Sequence, residues 1–523
     1  MKHQKNKRDL ESSAMTTSSR NTAGGTDSDP LTDVDVVIVG AGFSGVGMGV
    51  QLSRQTGYSY VILERADDVG GSWRDNTYPG VACDVASHLY SYSFALNPNW
   101  SRQFSPGREI LDYIRRVAAD EGVDAHVRFG AEMLDARWNT RDHRWTVSTP
   151  RGEFTGRYLV AATGHLTDPK LPAINGIDDF DGVIMHSARW DHEVDLAGRR
   201  VGVVGSGASA VQIVPAIAPE VAQLVVFQRT PAYVVPRRDR AFSEAERRQF
   251  ARDIGSAEDL RRTVFWGGDY QFAARRRVPQ YYAEAHANAL NHLNAQVSDP
   301  ELRRKLTPNY DIGCKRILKS DDFYPALQLP NVILEDSALH SVAGGSAISA
   351  RGANYDLDVL IFATGFETWD LPSSHRIFGR DGQSLGEQWS SGMQAFNSVT
   401  VHNFPNLFMV NGPATSLNHN SIIFMIETQI SYVLSAIAWA DGSQEGVVEV
   451  SAEHEQAYAD HLHENAEHTA QLAGGCTSWY VDPRNGKATL SWPNFAHTYR
   501  DDCAEFDPAP YLERAGADAG VRR

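Results

Sequence analysis

Two glycine-rich turns, each directly after an apolar strand, constrain the fold of this chain more than any other feature. The first turn, residues 40–45 (GAGFSG), follows the apolar run at 34–39 and precedes a helical pattern that ends near Gln55. The second, residues 205–210 (GSGASA), follows the apolar run at 201–204. A strand, a G-x-G-x-x-G turn and a helix together begin a dinucleotide-binding β-α-β unit. The sequence therefore predicts an α/β chain with two Rossmann-like domains.

Each small residue in such a turn has a mechanical role. The first glycine allows the tight turn, the second lets a pyrophosphate approach the backbone, and the third small residue lets the helix pack on the strand. The pyrophosphate then lies at the helix N-terminus, where unpaired N–H groups favour negative charge. The predicted cofactor-binding positions of the two turns are Gly40, Gly42, Gly45, Gly205, Gly207 and Ser209.

The end of the second strand distinguishes the two units. Glu64 lies 24 positions after Gly40, whereas the same offset from Gly205 reaches Arg229, which Thr230 follows. A carboxylate at this place accepts hydrogen bonds from a ribose diol, and an arginine accommodates a 2′-phosphate. We therefore expect FAD at the first site and NADPH at the second.

Composition limits the other possibilities. A chain of 523 residues is too long for one core, and its formal charge of -16 argues against nucleic acid or an anionic membrane surface as the main partner. The four cysteines, at 83, 314, 476 and 503, include no C-x-x-C pair. We expect reduced thiols, and no redox dithiol of the kind that a flavin disulfide reductase needs.

Changes in composition along the chain predict its domains. Residues 1–33 are poor in large apolar side chains and are expected to form a disordered tail. Residues 34–165 and 360–523 are assigned to the FAD-binding domain, residues 166–236 and 312–359 to the NADPH-binding domain, and residues 237–311 to a helical insert. In this scheme the apolar strand near 359–365 returns the chain to the first domain. The apolar stretch at 422–439 contains Glu427 and Gln429, which favours a buried helix over a membrane span.

Residues 180–191 (FDGVIMHSARWD) fit the pattern F-x-G-x-x-x-H-x-x-x-W-[P/D] at every fixed position. This segment, which lies between the two glycine-rich turns, resembles the fingerprint of the type I Baeyer–Villiger monooxygenases. The fixed positions are Phe180, Gly182, His186, Trp190 and Asp191.

Three further segments strengthen the resemblance, which spans about residues 34–499. Residues 70–84 match [A/G]-G-x-W-x-x-x-x-[F/Y]-P-[G/M]-x-x-x-D and contain Gly71, Trp73 and Asp84. Residues 306–316, which end in Lys315-Arg316, are similar to the stretch that carries the family's active-site arginine. Residues 477–480 are similar to the segment with the C-terminal tryptophan, here Trp479.

The resemblance implies a monooxygenase that converts ketones to esters or lactones with FAD, NADPH and O2, through a C4a-peroxide of the flavin. It implies that Arg316 stabilises the anionic peroxide, that Asp84 orients Arg316, and that Lys315 binds the 2′-phosphate. Trp479 would close over the nicotinamide, and the fingerprint around His186 would act as a hinge and gate. We expect a cytoplasmic enzyme with a small ketone as substrate; the oligomeric state is left open.

Two alternatives remain. A flavin N- or S-oxygenase of amines or sulfides has the same cofactors, although Trp190-Asp191 favours the Baeyer–Villiger branch. A non-catalytic nucleotide sensor is disfavoured by Arg316 together with both glycine turns. The histidines and glutamates at 461–468 fit no metal-binding spacing, so no metal site is predicted.

Overall fold

The computed structural model describes residues 32–443 and 446–511, and nearly all of the predicted tail lies outside the described residues. In chain order the strands are β1 (Asp33–Val39), β2 (Tyr60–Glu64), β3 (Val127–Phe129), β4 (Asp135–Asn139), β5 (Arg144–Thr149), β6 (Gly152–Ala161), β7 (Val183–His186), β8 (Arg200–Val204), β9 (Gln223–Phe227), β10 (Val234–Val235), β11 (Leu318–Lys319), β12 (Val332–Glu335), β13 (Leu339–Ala343), β14 (Ser346–Ser349), β15 (Asn354–Asp356), β16 (Val359–Phe362), β17 (Ile377–Phe378) and β18 (Leu407–Met409).

Between the strands lie α-helices and short 3-10 turns. In chain order the α-helices are α1 (Phe43–Gln55), α2 (Ser72–Asp75), α3 (Gly107–Asp120), α4 (Ala210–Ile217), α5 (Glu244–Arg252), α6 (Ile254–Asp269), α7 (Phe272–Arg275), α8 (Pro279–Gln296), α9 (Pro300–Leu306), α10 (Phe323–Ala326), α11 (Leu385–Gln388), α12 (Ile422–Gly442), α13 (Ala452–Glu467), α14 (Ala470–Ala473) and α15 (Ala496–Asp502).

The first sheet has the order β17-β4-β5-β6-β1-β2-β3, and β18 also pairs with β6. The strands β6, β1, β2 and β3 run parallel, with Val36 opposite Tyr60 and Tyr158. Both faces of these strands are covered, which explains their continuous apolar sequence. One face packs against α1, α3 and α12, and the other against the segment from Leu371 to Leu407. The predicted β1-α1-β2 unit is confirmed.

The second sheet is parallel, in the order β12-β9-β8-β16-β7, with α4 and α10 packed on one face. The predicted β8-α4-β9 unit is therefore also confirmed. One prediction is wrong: β16 does not return the chain to the first sheet, because it pairs with β7 and β8. Two buried parallel strands of similar composition cannot be assigned to one sheet or the other from sequence. The chain reaches the first sheet again only at β17.

The helices α5–α9 occupy the region predicted as a helical insert. The cap of α5 is a reciprocal pair in which Ser243 accepts from the Glu246 amide and Glu246 accepts from the Ser243 amide. Phe265 of α6 packs on Phe424 of α12, with ring centroids 4.6 Å apart. Arg261 donates to three carbonyls between His88 and Ser91. The insert is thus fixed against the first-sheet region.

The apolar helix α12 is the one candidate for a membrane span within the described residues, by length and composition. In the structure, 67% of its most apolar window is buried inside the molecule. The buried side chain of Gln429 accepts from the Asn411 amide at 2.8 Å and donates to the Ser398 carbonyl at 2.9 Å. These contacts are those of a core helix, as the sequence predicted.

Two of the four cysteines form a disulfide, Cys314–Cys476, so the prediction that all are reduced thiols is wrong for this pair. The partners are 162 positions apart in the chain, and only the tertiary fold brings them together. Cys83 and Cys503 are free and buried. The bond ties the segment before Lys315-Arg316 to the segment before Trp479.

Candidate functional site

A cleft opens to solvent at the carboxyl ends of β1, β2 and β6. This is the end of a parallel sheet at which α/β proteins bind their ligands. Five of the predicted cofactor-binding residues line the cleft: Gly40, Gly42, Glu64, Gly71 and Trp73. Gly45 does not line it, because it lies beneath the turn.

The first turn leaves no room for a side chain at Gly40 or Gly45. Gly40 has φ of +106°, and a Cβ there would lie 2.6 Å from the Ala162 carbonyl oxygen. A Cβ on Gly45 would lie 1.8 Å from the carbonyl oxygen of Gly40. Gly42 is the N-cap of α1, and no side chain in the described part of the protein caps that helix start. The first N–H groups of α1 therefore face the cleft ready for an anionic group.

Glu64 ends β2 and is 4% exposed. Its carboxylate accepts from the Ala41 amide and the Ala66 amide, each at 2.9 Å, and from Arg74 Nη1 at 3.0 Å. A buried carboxylate held in this way keeps a fixed position beside the glycine turn. The arrangement fits the predicted contact with a ribose diol.

Gly71 and Trp73 close the other side of the cleft. Gly71 has φ of +53°, and its Cβ position lies 3.2 Å from the Gly42 Cα, so the two backbone turns touch. Trp73 Nε1 donates to the Tyr90 hydroxyl at 3.2 Å, and the rings meet edge to face. Tyr90 lines the same cleft. Together with the uncapped helix, these residues fit the adenosine diphosphate part and a flat ring system of FAD.

The second glycine turn repeats the geometry of the first. Gly205 has φ of +124°, and a Cβ there would lie 2.5 Å from the Ala363 carbonyl oxygen. Gly207 has open space around its Cβ position. Ser209 is the N-cap of α4 and makes no side-chain cap bond. This helix start therefore also presents free amides to an anion.

Two cations lie beside the second turn. Burial lowers the pKa of Lys315, and the positive charge of Arg229 lowers it further, so the two side chains are close. Within the part of the chain that the structure describes, no carboxylate lies within 4 Å of either. Thr230 accepts through its carbonyl from Ser206 Oγ at 2.8 Å, which fixes the Arg229 turn against the glycine turn. Two neighbouring cations without a carboxylate partner at this place fit the 2′-phosphate of NADPH.

Arg316 and Asp84 form a two-pronged ion pair. Arg316 Nε donates to Asp84 Oδ2 at 3.1 Å, and Nη2 donates to both carboxylate oxygens at 2.7 Å. Asp84 raises the pKa of Arg316, although burial opposes this. Burial alone would raise the pKa of Asp84, but Arg316 and Lys319 hold it below its ordinary value. Both groups are therefore charged at neutral pH.

The ion pair lies next to the first cleft. Burial is the main cause that raises the pKa of Tyr90, and the charges of Asp84 and Arg316 also act on it. Because Tyr90 lines the cleft, a molecule bound there is within electrostatic reach of Arg316. The structure thus brings the predicted arginine, Trp73 and the cleft together.

Trp479 is linked to the ion pair through its neighbour Tyr480. It packs on Tyr480, with ring centroids 4.2 Å apart, and its carbonyl accepts from Trp369 Nε1 at 2.8 Å. Tyr480 is fully buried and contacts Arg316 through its hydroxyl. The predicted closing tryptophan is therefore one residue from a direct partner of the predicted arginine.

The fingerprint forms β7 and the turn that follows it, at the edge of the second sheet. Gly182 is required by space, since a Cβ there would lie 2.3 Å from the Asp358 carbonyl oxygen. Phe180 and Trp190 pack against the two faces of that sheet. Asp191 accepts from the Glu193 amide at 2.9 Å and so fixes the turn.

His186 is buried, and its Nδ1 accepts from the Ala188 amide at 3.1 Å. Burial lowers its pKa to about 4, so the ring is neutral. It packs on Phe366, which pairs with Pro169. These two residues belong to the segments that connect the sheets, joined also by the Lys170 amide donating to the Gly365 carbonyl at 2.9 Å. The fingerprint histidine thus touches the linkers, not the cleft.

Several residues of the site are not among those predicted from the sequence. Met133, Asn411 and Ile422 line the first cleft but come from distant loops and a helix start. Arg275 and Tyr480 lie beside Arg316, in the insert and the C-terminal segment respectively. For Tyr480 a signal was present, because it follows Trp479 in the matched segment. No group of three or more His, Cys, Asp or Glu among the described residues could hold a metal ion.

The fold and site define a protein with two dinucleotide domains and an arginine–carboxylate pair beside the first. Comparisons with known proteins agree. A sequence profile described as pyridine nucleotide-disulphide oxidoreductase matches residues 37–235. The chain is 43% identical to a Baeyer-Villiger monooxygenase of Streptomyces coelicolor over 94% of this chain and 95% of that protein. It is 39% identical to a Baeyer-Villiger monooxygenase of Pseudomonas aeruginosa over 91% of this chain and 90% of that protein.

Solved structures lead to the same class. Cyclohexanone monooxygenase from Rhodococcus sp. Phi1 bound to NADP+ matches with a TM-score of 0.80 at 29% identity, over 90% of this chain and 97% of that one. A steroid monooxygenase bound to NADP matches with a TM-score of 0.79 at 31% identity and the same coverage. The chain belongs to the Baeyer–Villiger monooxygenase family. The predicted class, a ketone monooxygenase dependent on FAD and NADPH, is confirmed.

Proposed function

We propose that this enzyme converts a small-molecule ketone and O2 to an ester or lactone, in the cytoplasm, with Arg316 as its electrostatic catalyst. FAD is held without a covalent bond in the first cleft, and NADPH at the second turn by Arg229, Thr230 and Lys315. The observation that carries the proposal is the two-pronged Arg316–Asp84 pair beside the cleft-lining Tyr90.

The chemistry is divided between cofactor and protein. When bound, FAD would take up a hydride from NADPH and activate O2. Insertion of oxygen beside a carbonyl carbon requires negative charge to persist next to the flavin. A fixed cation in a water-poor site stabilises such charge more strongly than it would in water. Arginine suits this role because it does not lose its proton.

The contacts of Asp84 define how Arg316 acts. The three hydrogen bonds to Asp84 use Nε and Nη2 and leave Nη1 out of the pair. Asp84 therefore orients the guanidinium plane without covering all of its donors. Lys319 Nζ donates to the Asp84 carbonyl at 2.9 Å, which adds a second positive charge near the pair.

The decisive experiment is Arg316→Ala. Ester formation from a cyclic ketone is expected to fall by a factor of about 100 or more, as for the loss of one preorganised stabilising group. Reduction of FAD by NADPH, followed by stopped flow, should persist because it precedes the oxygen chemistry. Arg316→Lys should rescue poorly, since an ammonium lacks the planar fork.

Arg304→Ala is the matched control, because Arg304 forms an exposed pair with Glu301 on α9. Near wild-type ester yield from Arg316→Ala would show that the catalytic assignment is wrong. If the wild-type enzyme oxygenates amines or sulfides but never ketones, it is an N- or S-oxygenase.

We also propose that the fingerprint at 180–191 and Trp479 control how NADPH moves between its hydride-donating position and a second position. The support is the contact of His186 with the paired linkers. Movements of this kind at domain boundaries set the turnover of many enzymes. His186→Gln is expected to slow reduction by NADPH with unchanged FAD content. Loss of FAD in this variant would indicate a structural role in the first domain instead.

A further inference from the structure

A second buried arginine lies near Arg316 and has no carboxylate partner. Arg275 ends α7 and is 6% exposed. Its Nη1 donates to His419 Nδ1 at 2.9 Å, and its Nη2 donates to the Asn418 carbonyl. Among the described residues, no carboxylate lies within 4 Å of this guanidinium. Burial without an ionic partner is costly for a charged group, so this arrangement needs a reason.

The negative charge that balances Arg275 is on Asp269, and the side chain of His419 lies between them. Because His419 Nδ1 accepts from Arg275, its Nε2 carries the proton and donates to Asp269 Oδ1 at 3.2 Å. Burial lowers the pKa of His419 to about 4, so the imidazole is neutral. Asp269, 1% exposed, also accepts from His497 Nδ1 at 2.6 Å and the Ala496 amide at 2.7 Å. Asp269, His419 and Arg275 thus form a carboxylate–imidazole–guanidinium relay.

The other end of the relay leads to Arg316. The side-chain oxygen of Asn418, whose carbonyl binds Arg275, accepts from the Tyr480 hydroxyl. The same hydroxyl contacts the Arg316 guanidinium. A continuous chain of contacts therefore runs from the end of α6, through α7 and the loop before α12, to the ion pair with Asp84.

We propose that Arg275 is a positioning residue for oxygen transfer: it fixes Asn418, and through Asn418 it holds Tyr480 and Arg316 in place. This inference rests on the role proposed above for Arg316. Asp84 contacts Arg316 from one side only, and Tyr480 supplies the second contact that limits rotation of the guanidinium.

The relay also explains why the carboxylate is remote. A carboxylate bonded directly to Arg275 would place negative charge close to the region where the reaction must build up negative charge. With a neutral imidazole in between, Asp269 offsets the buried cation from a greater distance, and the repulsion decreases with distance. Burial raises the pKa of the Tyr480 phenol, and the two nearby cations, Arg316 and Arg275, both act to lower it.

The test compares Arg275→Met with Arg276→Met in the FAD-loaded enzyme. Arg276 is the matched control, since it is the next residue and donates to the Asn465 carbonyl at 3.0 Å, away from the relay. Arg275→Met should lower the share of NADPH oxidation that yields ester, with hydrogen peroxide formed instead, by about tenfold, as expected for small misplacement of a catalytic group. The rate of flavin reduction should change less than about twofold.

A second measurement does not depend on turnover. Amide hydrogen exchange in residues 413–421 and 474–481 should accelerate in Arg275→Met but not in Arg276→Met. Tyr480→Phe, which removes one hydroxyl, should uncouple the enzyme without accelerating exchange in 413–421. If Arg275→Met does not give soluble protein, Tyr480→Phe and Asn418→Ala replace it in the same two measurements, the share of NADPH oxidation that yields ester and the rates of amide exchange.

A double-mutant cycle provides the strictest criterion. If Arg275 acts through Tyr480, the double variant Arg275→Met/Tyr480→Phe loses little more coupling than the worse single variant. Fully additive losses, or wild-type coupling and exchange in Arg275→Met, overturn the proposal. Normal ester formation by Arg316→Ala would instead overturn the role of Arg316, while the exchange data would still show whether the relay orders the two segments.

Discussion

The two glycine turns share one backbone design and differ in what surrounds them. At the first, the discriminating residue Glu64 is 4% exposed, accepts three hydrogen bonds, and lines the cleft. At the second, Arg229 is exposed and lies near Lys315 with no carboxylate partner in the described part of the chain. At the first site the discriminating charge is buried and hydrogen-bonded, whereas at the second site the positive charge has no carboxylate partner among the described residues.

This difference explains how the same fold can hold one cofactor permanently and another only during each catalytic cycle. The first site fits a cofactor that stays bound, because its charged group is already fixed by backbone amides and Arg74. The second site fits a cofactor that enters and leaves with each cycle, because its discriminating residue, Arg229, is an exposed cation that water can solvate in the ligand's absence. The shared turn supplies the pyrophosphate site in both cases.

The largest expected effect comes from placing the charge of the second site in the first. Glu64→Arg would bury a cation beside Arg74 and leave the Ala41 and Ala66 amides without their acceptor. Breaking a buried ionic arrangement in this way costs about 3–5 kcal/mol, so FAD affinity should fall by about 1000-fold. The ratio of flavin to protein absorbance after purification measures this.

Arg229→Glu is the reciprocal control and should retain FAD. Full flavin content in Glu64→Arg, or flavin loss in Arg229→Glu, would remove the proposed distinction between a fixed and an exchanging site.

The next largest effect concerns the disulfide Cys314–Cys476, which ties the segment before Lys315 to the segment before Trp479. Cys314→Ser/Cys476→Ser should lower the free energy of unfolding by about 2–5 kcal/mol, because the bond closes a long loop in the unfolded chain. Denaturant unfolding with and without a dithiol reductant measures the change. The reductant should destabilise the wild type but not the double variant, and Cys503→Ser should respond like the wild type. A wild type indifferent to reductant would mean that these thiols are free.

The disulfide between two of the cysteines shows which kind of contact cannot be predicted from the sequence. The glycine turns, their strands and the charges of Glu64 and Arg229 could be predicted because each depends on residues within about one β-α-β unit. The disulfide could not, since no spacing rule links residues 162 positions apart. The sheet that contains β16 was misassigned because apolar parallel strands look alike. Arg275, Asp269 and His419 come from separate segments and form a unit only in three dimensions.

A smaller effect tests the selectivity of the second site. Arg229→Ala should weaken NADPH by about 1.5–3 kcal/mol, the range for a charge-assisted hydrogen bond, and leave NADH nearly unchanged. Dissociation constants for both cofactors, measured by titration of the oxidised enzyme, give the comparison. Equal losses for NADPH and NADH would show that Arg229 does not contact the phosphate.

The smallest expected effect is a pH dependence that only the second site should show. The lowered pKa of Lys315 means that this side chain loses its proton at a lower pH than an ordinary lysine does. Phosphate binding favours the charged form, so NADPH affinity is fully present below that pKa and declines as the pH rises through it.

Lys315→Met should weaken NADPH binding a few-fold near pH 7.5 and abolish this alkaline decline. Burial is the larger cause of the lowered pKa of Lys315, and Arg229→Gln removes the smaller one, the charge repulsion, so the decline should move to higher pH. Titrations from about pH 7.5 to 10 measure both shifts, and NADH, which lacks the phosphate, serves as the internal control. If the decline is the same in Arg229→Gln as in the wild type, the two cations do not share one phosphate.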